Sequence, residues 1–498
     1  MPSIAEEEQK FLGRVLFFSG KSQDCYNLLE STIKEKLENL DNTAVRSEFK
    51  LEIYQIYILP SIRFLLTIHD LPKTHLSKLD TMADQFLKKW AGLPRCATTA
   101  ILHLDTALGI KNISTLYTEC HAVTHASTRL KGDSRVNLVL DNKIERESNY
   151  VRKQSITVLS EAVFKTAFNR NCVQGEIPGT TPENPPTSEN LTLSEAVDLT
   201  LSDMDQPQIA LKPPTKFINE VKQDVKINIL SDENQNILKH VQTLVKQGKF
   251  LEMTKLEQMD ATWQSYIFNL PKGTMKFLLN SSIDTLPTKA NLRQWGKVTN
   301  DKCFCSQKET LNHILNCCKI GLEQGRYNFR HDSVLHYVAQ CLDRKRYTCY
   351  VDIAGHMTPA GGTLPADIIV STLRPDIVIV DSKKKTVSVL ELTVPGETRI
   401  PIAHKLKTEK YQHLQSDIKT HTVSVLPFEI GSHTGHITRE NAETLHSLHK
   451  FCTKEVKFKM FKKNISAITV LSSYYIFNCR NEKTWEKSAY ILPPFPNQ

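Results

Sequence analysis

The stretch that decides the fold runs from Arg374 to Tyr411. It reads Arg374-Pro-Asp376-Ile-Val-Ile-Val-Asp381, Ser382-Lys-Lys-Lys385, Thr386-Val-Ser-Val-Leu-Glu391-Leu-Thr-Val-Pro395 and, after a short gap, His404-Lys-Leu-Lys407-Thr-Glu-Lys410-Tyr411. Two runs rich in β-branched residues, bounded by proline and by a lysine-rich tetrapeptide, predict a hairpin followed by a basic helix. With Ser382–Lys385 as the loop, Asp381 pairs with Thr386, and counting outward sets Asp376 opposite Glu391. Directly opposed residues on one face have Cβ atoms about 4.5–5.5 Å apart. Carboxylates that close repel unless a cation lies between them. Hard divalent ions such as Mg²⁺ are held by one or two carboxylates together with phosphate oxygens. The pair therefore points to a metal-dependent, phosphodiester-cleaving site.

A helix predicted over 402–419 carries Lys407 sixteen positions after Glu391, with Tyr411 one turn further on the same face. A lysine there suits a scissile phosphate or an attacking water. The alternative for Lys405, Lys407 and Lys410 is a solvated basic face. Beyond it the pattern predicts a strand over 422–430, a helix over 440–454 and a last helix over 465–485. Between the last two, Val456-Lys457-Phe-Lys459-Met-Phe-Lys-Lys463 alternates basic and aromatic residues. That alternation reads as a strand whose Lys457 and Lys459 meet a nucleic-acid backbone, or as an edge strand carrying lysines against aggregation. Strands alternating with helices predict a mixed sheet flanked by helices.

Upstream of the hairpin, Cys303-Phe-Cys305, His313 and Cys318 fall within sixteen residues. Three cysteines and one histidine are a donor set for structural Zn²⁺, and so short a segment usually folds around its ion. Cys317 rivals Cys318 as the fourth ligand. Such a site clips the chain or binds single strands, with no open catalytic position. A cysteine-rich helical hairpin without metal is the alternative. The helix that follows has Val334, Leu335, Val338 and Leu342 in register, and its Asp332 reads as an extra metal ligand or as an N-terminal cap.

The first 165 residues predict mostly helix, over Phe11–Leu40, Phe49–Ile68 and Leu76–Trp90, with Pro60, Pro72 and Pro94 as kinks or boundaries. Lys88-Lys89-Trp90-Ala-Gly-Leu-Pro-Arg95 suits a nucleic-acid backbone, or is a solvated helix end with a core tryptophan. Residues 172–215 are poor in large apolar side chains and dense in Pro, Thr and Glu, which predicts a disordered linker. Helical patterning resumes over 216–298, with 230–259 its longest candidate.

Lys and Arg exceed Asp and Glu by 63 to 54, a net charge of +9 that mildly favours a polyanionic partner. No apolar run approaches the length of a membrane span, and the N-terminus lacks a secretory pattern, so the expected setting is intracellular, nuclear or cytoplasmic, without a membrane partner. In a reducing compartment the 12 cysteines read as thiols or metal ligands.

These residues carry a resemblance. The chain resembles the C-terminal part of a non-LTR retrotransposon polyprotein of the restriction-like-endonuclease type. Cys303, Cys305, His313 and Cys318 resemble that family's cysteine–histidine motif. Arg326 with Arg330-His331-Asp332 is similar to the basic-histidine stretch behind it. Arg374-Pro-Asp376, Glu391 and Lys407-Thr-Glu-Lys410-Tyr411 resemble the nuclease signature, with Lys407 serving from the helix where Thr393 stands in the usual lysine position. Phe11-Leu-Gly13 and Lys88–Arg95 are similar to pieces of the thumb region.

The resemblance implies five regions: a helical, reverse-transcriptase thumb-like part over 1–165, the linker over 166–215, a helical connector over 216–300, a zinc knuckle over 301–320 and a restriction-like endonuclease domain over 321–498. It also implies catalytic roles for Asp376, Glu391 and Lys407, supported by Lys410 and Tyr411, and nucleic-acid contacts for Arg326, Arg330 and His331. The expected cofactors are Mg²⁺ at the carboxylates and Zn²⁺ at the knuckle. The expected partners are target DNA and, from the element, RNA or an RNA–DNA hybrid. No two aspartates are adjacent anywhere, so the polymerase palm is expected to be missing or supplied by another chain, and no primer extension is expected. The alternative function is a transposon-derived fragment that binds nucleic acid without cutting.

Overall fold

The computed structural model describes residues 9–11, 14–16, 22–69, 71–129, 215–251, 265–271, 273–486 and 490–495. The predicted linker lies outside them except for Thr215. The chain divides into two compact units. The first takes residues 1–90 and 110–237, and the second takes 91–109 and 238–498.

In the first unit a short antiparallel hairpin, β1 (Gln9–Phe11) and β2 (Arg14–Leu16), stands where helix was expected. Helices follow: α1 (Ser22–Asp41), α2 (Ser47–Ile53), α3 (Leu59–Ile68) and α4 (Lys73–Ala91). Pro60 ends nothing. A π-turn over Tyr54–Ile58 precedes it, in which the Leu59 amide reaches back to the Tyr54 carbonyl, so helix continues past a residue with no N–H to donate. Within Ser47–Ile68 an 18-residue window has a mean hydropathy of 1.3, so by length and composition alone the segment is long and apolar enough to cross a membrane, a test that core helices of soluble proteins also pass. No such segment was expected from the sequence.

Trp90 is fully buried, and its Nε1 donates to Asp41 Oδ1 at 2.9 Å, while Lys89 pairs with Asp41 Oδ2 at 2.6 Å. This is the core-tryptophan helix end. Further on, α6 (Ile113–Arg129) presents Glu119, buried between Arg63 and Lys111. The long helix α7 spans Thr215–Gln242, seventeen residues short of the end expected at 259. (The short α5, Ala100–His103, belongs to the second unit.)

The second unit is built on a mixed four-stranded sheet. Its order is β3 (Thr348–Val351), β4 (Ile377–Asp381), β5 (Thr386–Thr393), β6 (Thr422–Glu429), with the first two pairings antiparallel and the last parallel. Asp381 faces Thr386, as the loop length requires. Asp381 Oδ1 accepts from the amides of Lys383 and Lys384 at 3.1 Å each, and Lys385 takes a left-handed φ of 52° to close the turn.

The strands read as continuous apolar runs because both faces are covered. Ahead of the sheet come the short helices α8 (Thr274–Ser282) and α9 (Lys289–Gln294). Ile377, Ile379, Leu390 and Leu392 join one core with Val334, Leu335 and Val338 of α10 (Arg326–Cys341) and with Phe461, Ile465 and Ile468 of α14 (Phe458–Asn478). Val378, Val380, Val387 and Val389 pack on the other side with Tyr411 and Leu414. Those two residues belong to α11 (Ile400–Tyr411) and α12 (Leu414–Asp417), two helices where one was predicted. The parallel step from β5 to β6 runs through them, since parallel neighbours need a crossover.

Three predicted elements are corrected. Val456–Lys463 is no strand: α14 begins at Phe458, and Phe458, Phe461, Ile465 and Ile468 recur at helical spacing. Lys457 is the residue before that helix and Lys459 lies on its exposed side, so the lysines neither form nor protect a sheet edge. Asp332 is not a cap, because α10 starts six residues earlier behind Gly325. The helix predicted over 440–454 is α13, Arg439–His449.

Candidate active site and metal centre

Four donor atoms converge upstream of α10. Those of Cys303, Cys305, His313 and Cys318 all lie within 4.8 Å of one another. Cys303 Sγ is 3.7 Å from Cys318 Sγ, Cys318 Sγ is 3.9 Å from Cys305 Sγ, and Cys305 Sγ is 3.2 Å from His313 Nε2. Zinc–thiolate bonds of about 2.3 Å in a tetrahedron require sulfur–sulfur edges of about 3.8 Å. The cluster thus has the spacing to hold a zinc ion. Burial lowers the His313 pKa, favouring the neutral imidazole a metal needs.

Cys317 is exposed and its sulfur takes a contact from Asn312 at 3.7 Å, so the fourth donor of the cluster is Cys318 and not Cys317. Local chain geometry explains the tight Cys303-x-Cys305 spacing. Ser306 adopts a left-handed φ of 67°, Ser306 N–H donates to the Cys303 carbonyl, and a bridge between Lys302 and Lys308 closes the loop. Tyr327 braces the back of the knuckle, its hydroxyl accepting from the Cys318 amide at 2.8 Å.

The second site lies where the hairpin leaves the sheet. Asp376 precedes β4 and Glu391 sits near the end of β5, in the opposed register counted from the loop. Their backbones and carboxylates interlock: the Asp376 amide donates to Glu391 Oε2 at 3.3 Å, and the Leu392 amide donates to Asp376 Oδ2 at 2.7 Å. From α11, Lys407 Nζ reaches Glu391 Oε1 at 2.5 Å and Lys410 Nζ approaches the same oxygen at 3.7 Å. From α10, His331 Nε2 lies 3.3 Å from Asp376 Oδ2 while its Nδ1 pairs with Asp332 at 3.2 Å.

The structure therefore brings Asp376, Glu391 and Lys407 together and adds His331, which the sequence placed among nucleic-acid contacts. Burial lowers the His331 pKa, but hydrogen bonds and charge from Asp332 and Asp376 outweigh it and raise the value to about 10. The ring is thus a cation at neutral pH. Nothing in the sequence signals this pairing, since the rest of α10, the strand β3 and the residues 352–375 lie between His331 and Asp376. Tyr411 is fully buried, with burial and Glu391 raising its pKa, and its hydroxyl takes the Lys410 ammonium at 2.8 Å. It positions Lys410 and does not reach solvent.

Arg326 and Arg330 are corrected as nucleic-acid contacts. Arg326 is 4% exposed and donates to the carbonyls of Cys479 and Glu482. Arg330 is 2% exposed and donates to Asn316 Oδ1, the Val394 carbonyl and Ser473 Oγ. Both guanidinium groups are committed to the protein's own interior. Lys457 and Lys459 remain exposed.

Comparison with models of known protein families finds no match, and no curated protein matches the sequence.

Proposed function

We propose that the second unit is a metal-dependent DNA endonuclease from a retrotransposon protein of the restriction-like-endonuclease type, nicking target DNA to prime reverse transcription. The observation that carries this reading is Lys407 reaching Glu391 from a separate helix while Asp376 stands opposite on the neighbouring strand. A sheet flanked by helices, with the knuckle ahead of it, accords with a restriction-endonuclease-like domain.

The donor set suits a hard cation. Asp376 and Glu391 offer only oxygens, and Asp376 Oδ1 receives no hydrogen bond from the described residues. These two carboxylates would hold Mg²⁺, which when bound polarises a phosphate and makes a bound water more acidic. Lys407, 28% exposed, supplies positive charge to a phosphate that gathers negative charge in the transition state. Lys410 adds a second charge from the same helix, held by Tyr411. The Asp376 amide and the Leu392 amide fix both carboxylates in place, and His331 Nε2 holds Asp376 Oδ2 from the other side.

The same ion pairs favour a second reading. His331 on Asp376 and Lys407 on Glu391 balance both carboxylates without a metal, which suits a fragment that binds nucleic acid and does not cut. Plasmid nicking in Mg²⁺ separates the two. Wild type is expected to nick, and Asp376→Ala and Lys407→Ala to lose roughly a hundredfold or more in rate. Equal nicking by all three proteins would sink the endonuclease reading.

A further inference from the structure

The knuckle presents an aromatic ring that its metal chemistry does not use. Phe304, between the ligands Cys303 and Cys305, is 55% exposed. Lys289 Nζ sits 4.9 Å from the centre of that ring, and Lys289 is itself tied to the Lys302 carbonyl at 3.1 Å and to the buried Glu309. Beside Phe304 opens a cleft of about 190 Å³, whose lining includes Ile314, Ile320, Gly321, Glu309 and Arg480. Small-molecule sites usually run from about 300 Å³ upward, so this one suits a single flat ring. Arg480 Nε is buried without a hydrogen-bond partner among the described residues, 4.0 Å from Glu309 Oε1.

The charge around the ring selects the ligand. Lys302 and Lys308 face each other across the bridge that closes the turn, and both are exposed. Like charges directly opposed on paired strands destabilise the pair, and an anion laid between them removes that cost. Lys319 and Lys483 are exposed at the same end of the unit, next to the ligand Cys318 and on the cleft wall. An exposed aromatic ring set among lysines is the arrangement by which proteins hold single strands, bases stacking while phosphates meet the charges.

We propose that Phe304 and the adjoining cleft form a stacking site for one unpaired base of a single-stranded nucleic acid, with Lys302 and Lys308 holding the flanking phosphates. The site shares with the proposed function only the class of ligand. It needs neither Mg²⁺ nor the carboxylates.

The test uses the full chain loaded with zinc, with Mg²⁺ omitted, and a short fluorescein-labelled oligodeoxyadenylate read by anisotropy. Wild type is expected to bind the single strand more tightly than the duplex made with its complement. Phe304→Ala is expected to weaken single-strand binding roughly tenfold to a hundredfold, with zinc content unchanged because the ring is exposed. Phe304→Trp is expected to restore binding, and its indole emission to be quenched by the strand. Lys302→Ala with Lys308→Ala is expected to flatten the dependence of log affinity on log salt by about 0.7 per lysine. Wild-type affinity in Phe304→Ala, an unquenched Phe304→Trp, or no single-strand binding by wild type would each overturn the proposal. Nicking by Phe304→Ala in Mg²⁺ is scored separately, so a failed endonuclease reading leaves this result standing, and the reverse.

Discussion

His436 is 2% exposed, and its Nε2 has no hydrogen-bond partner among the described residues. Burial depresses its pKa to about 3, against about 6.5 in an unfolded chain. Between those values the unfolded state takes up a proton that the folded state refuses. Stability therefore falls as pH drops from about 6.5 toward 3, by about 1.4 kcal/mol per pH unit for this one group. Urea unfolding of wild type and His436→Gln between pH 7 and pH 4 measures it, and the variant should lose one proton's worth of slope. Identical slopes would remove His436 from the account. Arg330 poses a different question, because its guanidinium joins the knuckle exit at Asn316, the end of β5 at Val394 and α14 at Ser473. Arg330→Ala leaves those buried acceptors unmade, at about 1–3 kcal/mol each before relaxation. Its melting temperature should drop by many degrees, whereas a surface phosphate contact would leave it unchanged.

Among the elements, the knuckle carries the sharpest discrimination. Cys318→Ser should lose bound zinc while Cys317→Ser keeps one equivalent, as counted by metal analysis after gel filtration. Retention by the first and loss by the second would reverse the ligand assignment. Which elements were legible in the sequence follows from how local their causes are. The hairpin was readable because a four-residue loop fixes its register, and with it the opposition of Asp376 and Glu391. The knuckle was readable because its donors lie close in sequence, although only folded geometry separates Cys318 from Cys317. Val456–Lys463 misled because eight residues fit a period of two as well as 3.6. The continuation through Ile465 and Ile468 belongs to a helix, and that longer window decides. The interior placement of Arg326 and Arg330 had little local signal, since beyond Gln324 and Asn316 their partners lie far along the chain at Val394, Ser473, Cys479 and Glu482.

At the scale of the molecule, the second unit gathers residues 91–109 from far upstream. Asn280 donates to the Gly92 carbonyl at 3.1 Å, Gln247 donates to the Cys96 carbonyl at 3.0 Å, and the Thr98 amide donates back to Gln247 at 2.6 Å. A fragment of 238–498 leaves these groups without partners. It should melt below a fragment of 91–498 when followed by circular dichroism, and equal melting would show that the upstream segment contributes nothing to the unit. Within that unit α14 is the central post. Ser466, Thr469, Ser472 and Ser473 are all essentially buried among its apolar residues. Ser466 donates to the carbonyl of Gly435, whose φ is +65° and where a Cβ would lie 2.5 Å from the Ser466 carbonyl oxygen.

That post comes late in the chain, which gives the protein a schedule. The knuckle and the hairpin close over short loops at little entropic cost and are free to form while synthesis continues. Phe329, packed on Tyr475, and Arg330, bonded to Ser473, wait for residues more than 140 positions later. Until the ribosome has delivered α14, the helix carrying His331 toward Asp376 has the sheet on one side and lacks its other packing surface. Stalled nascent chains ending before Phe458 should therefore be cut by protease within α10, and chains extended past Asn478 should resist; equal sensitivity would mean that α10 docks unaided.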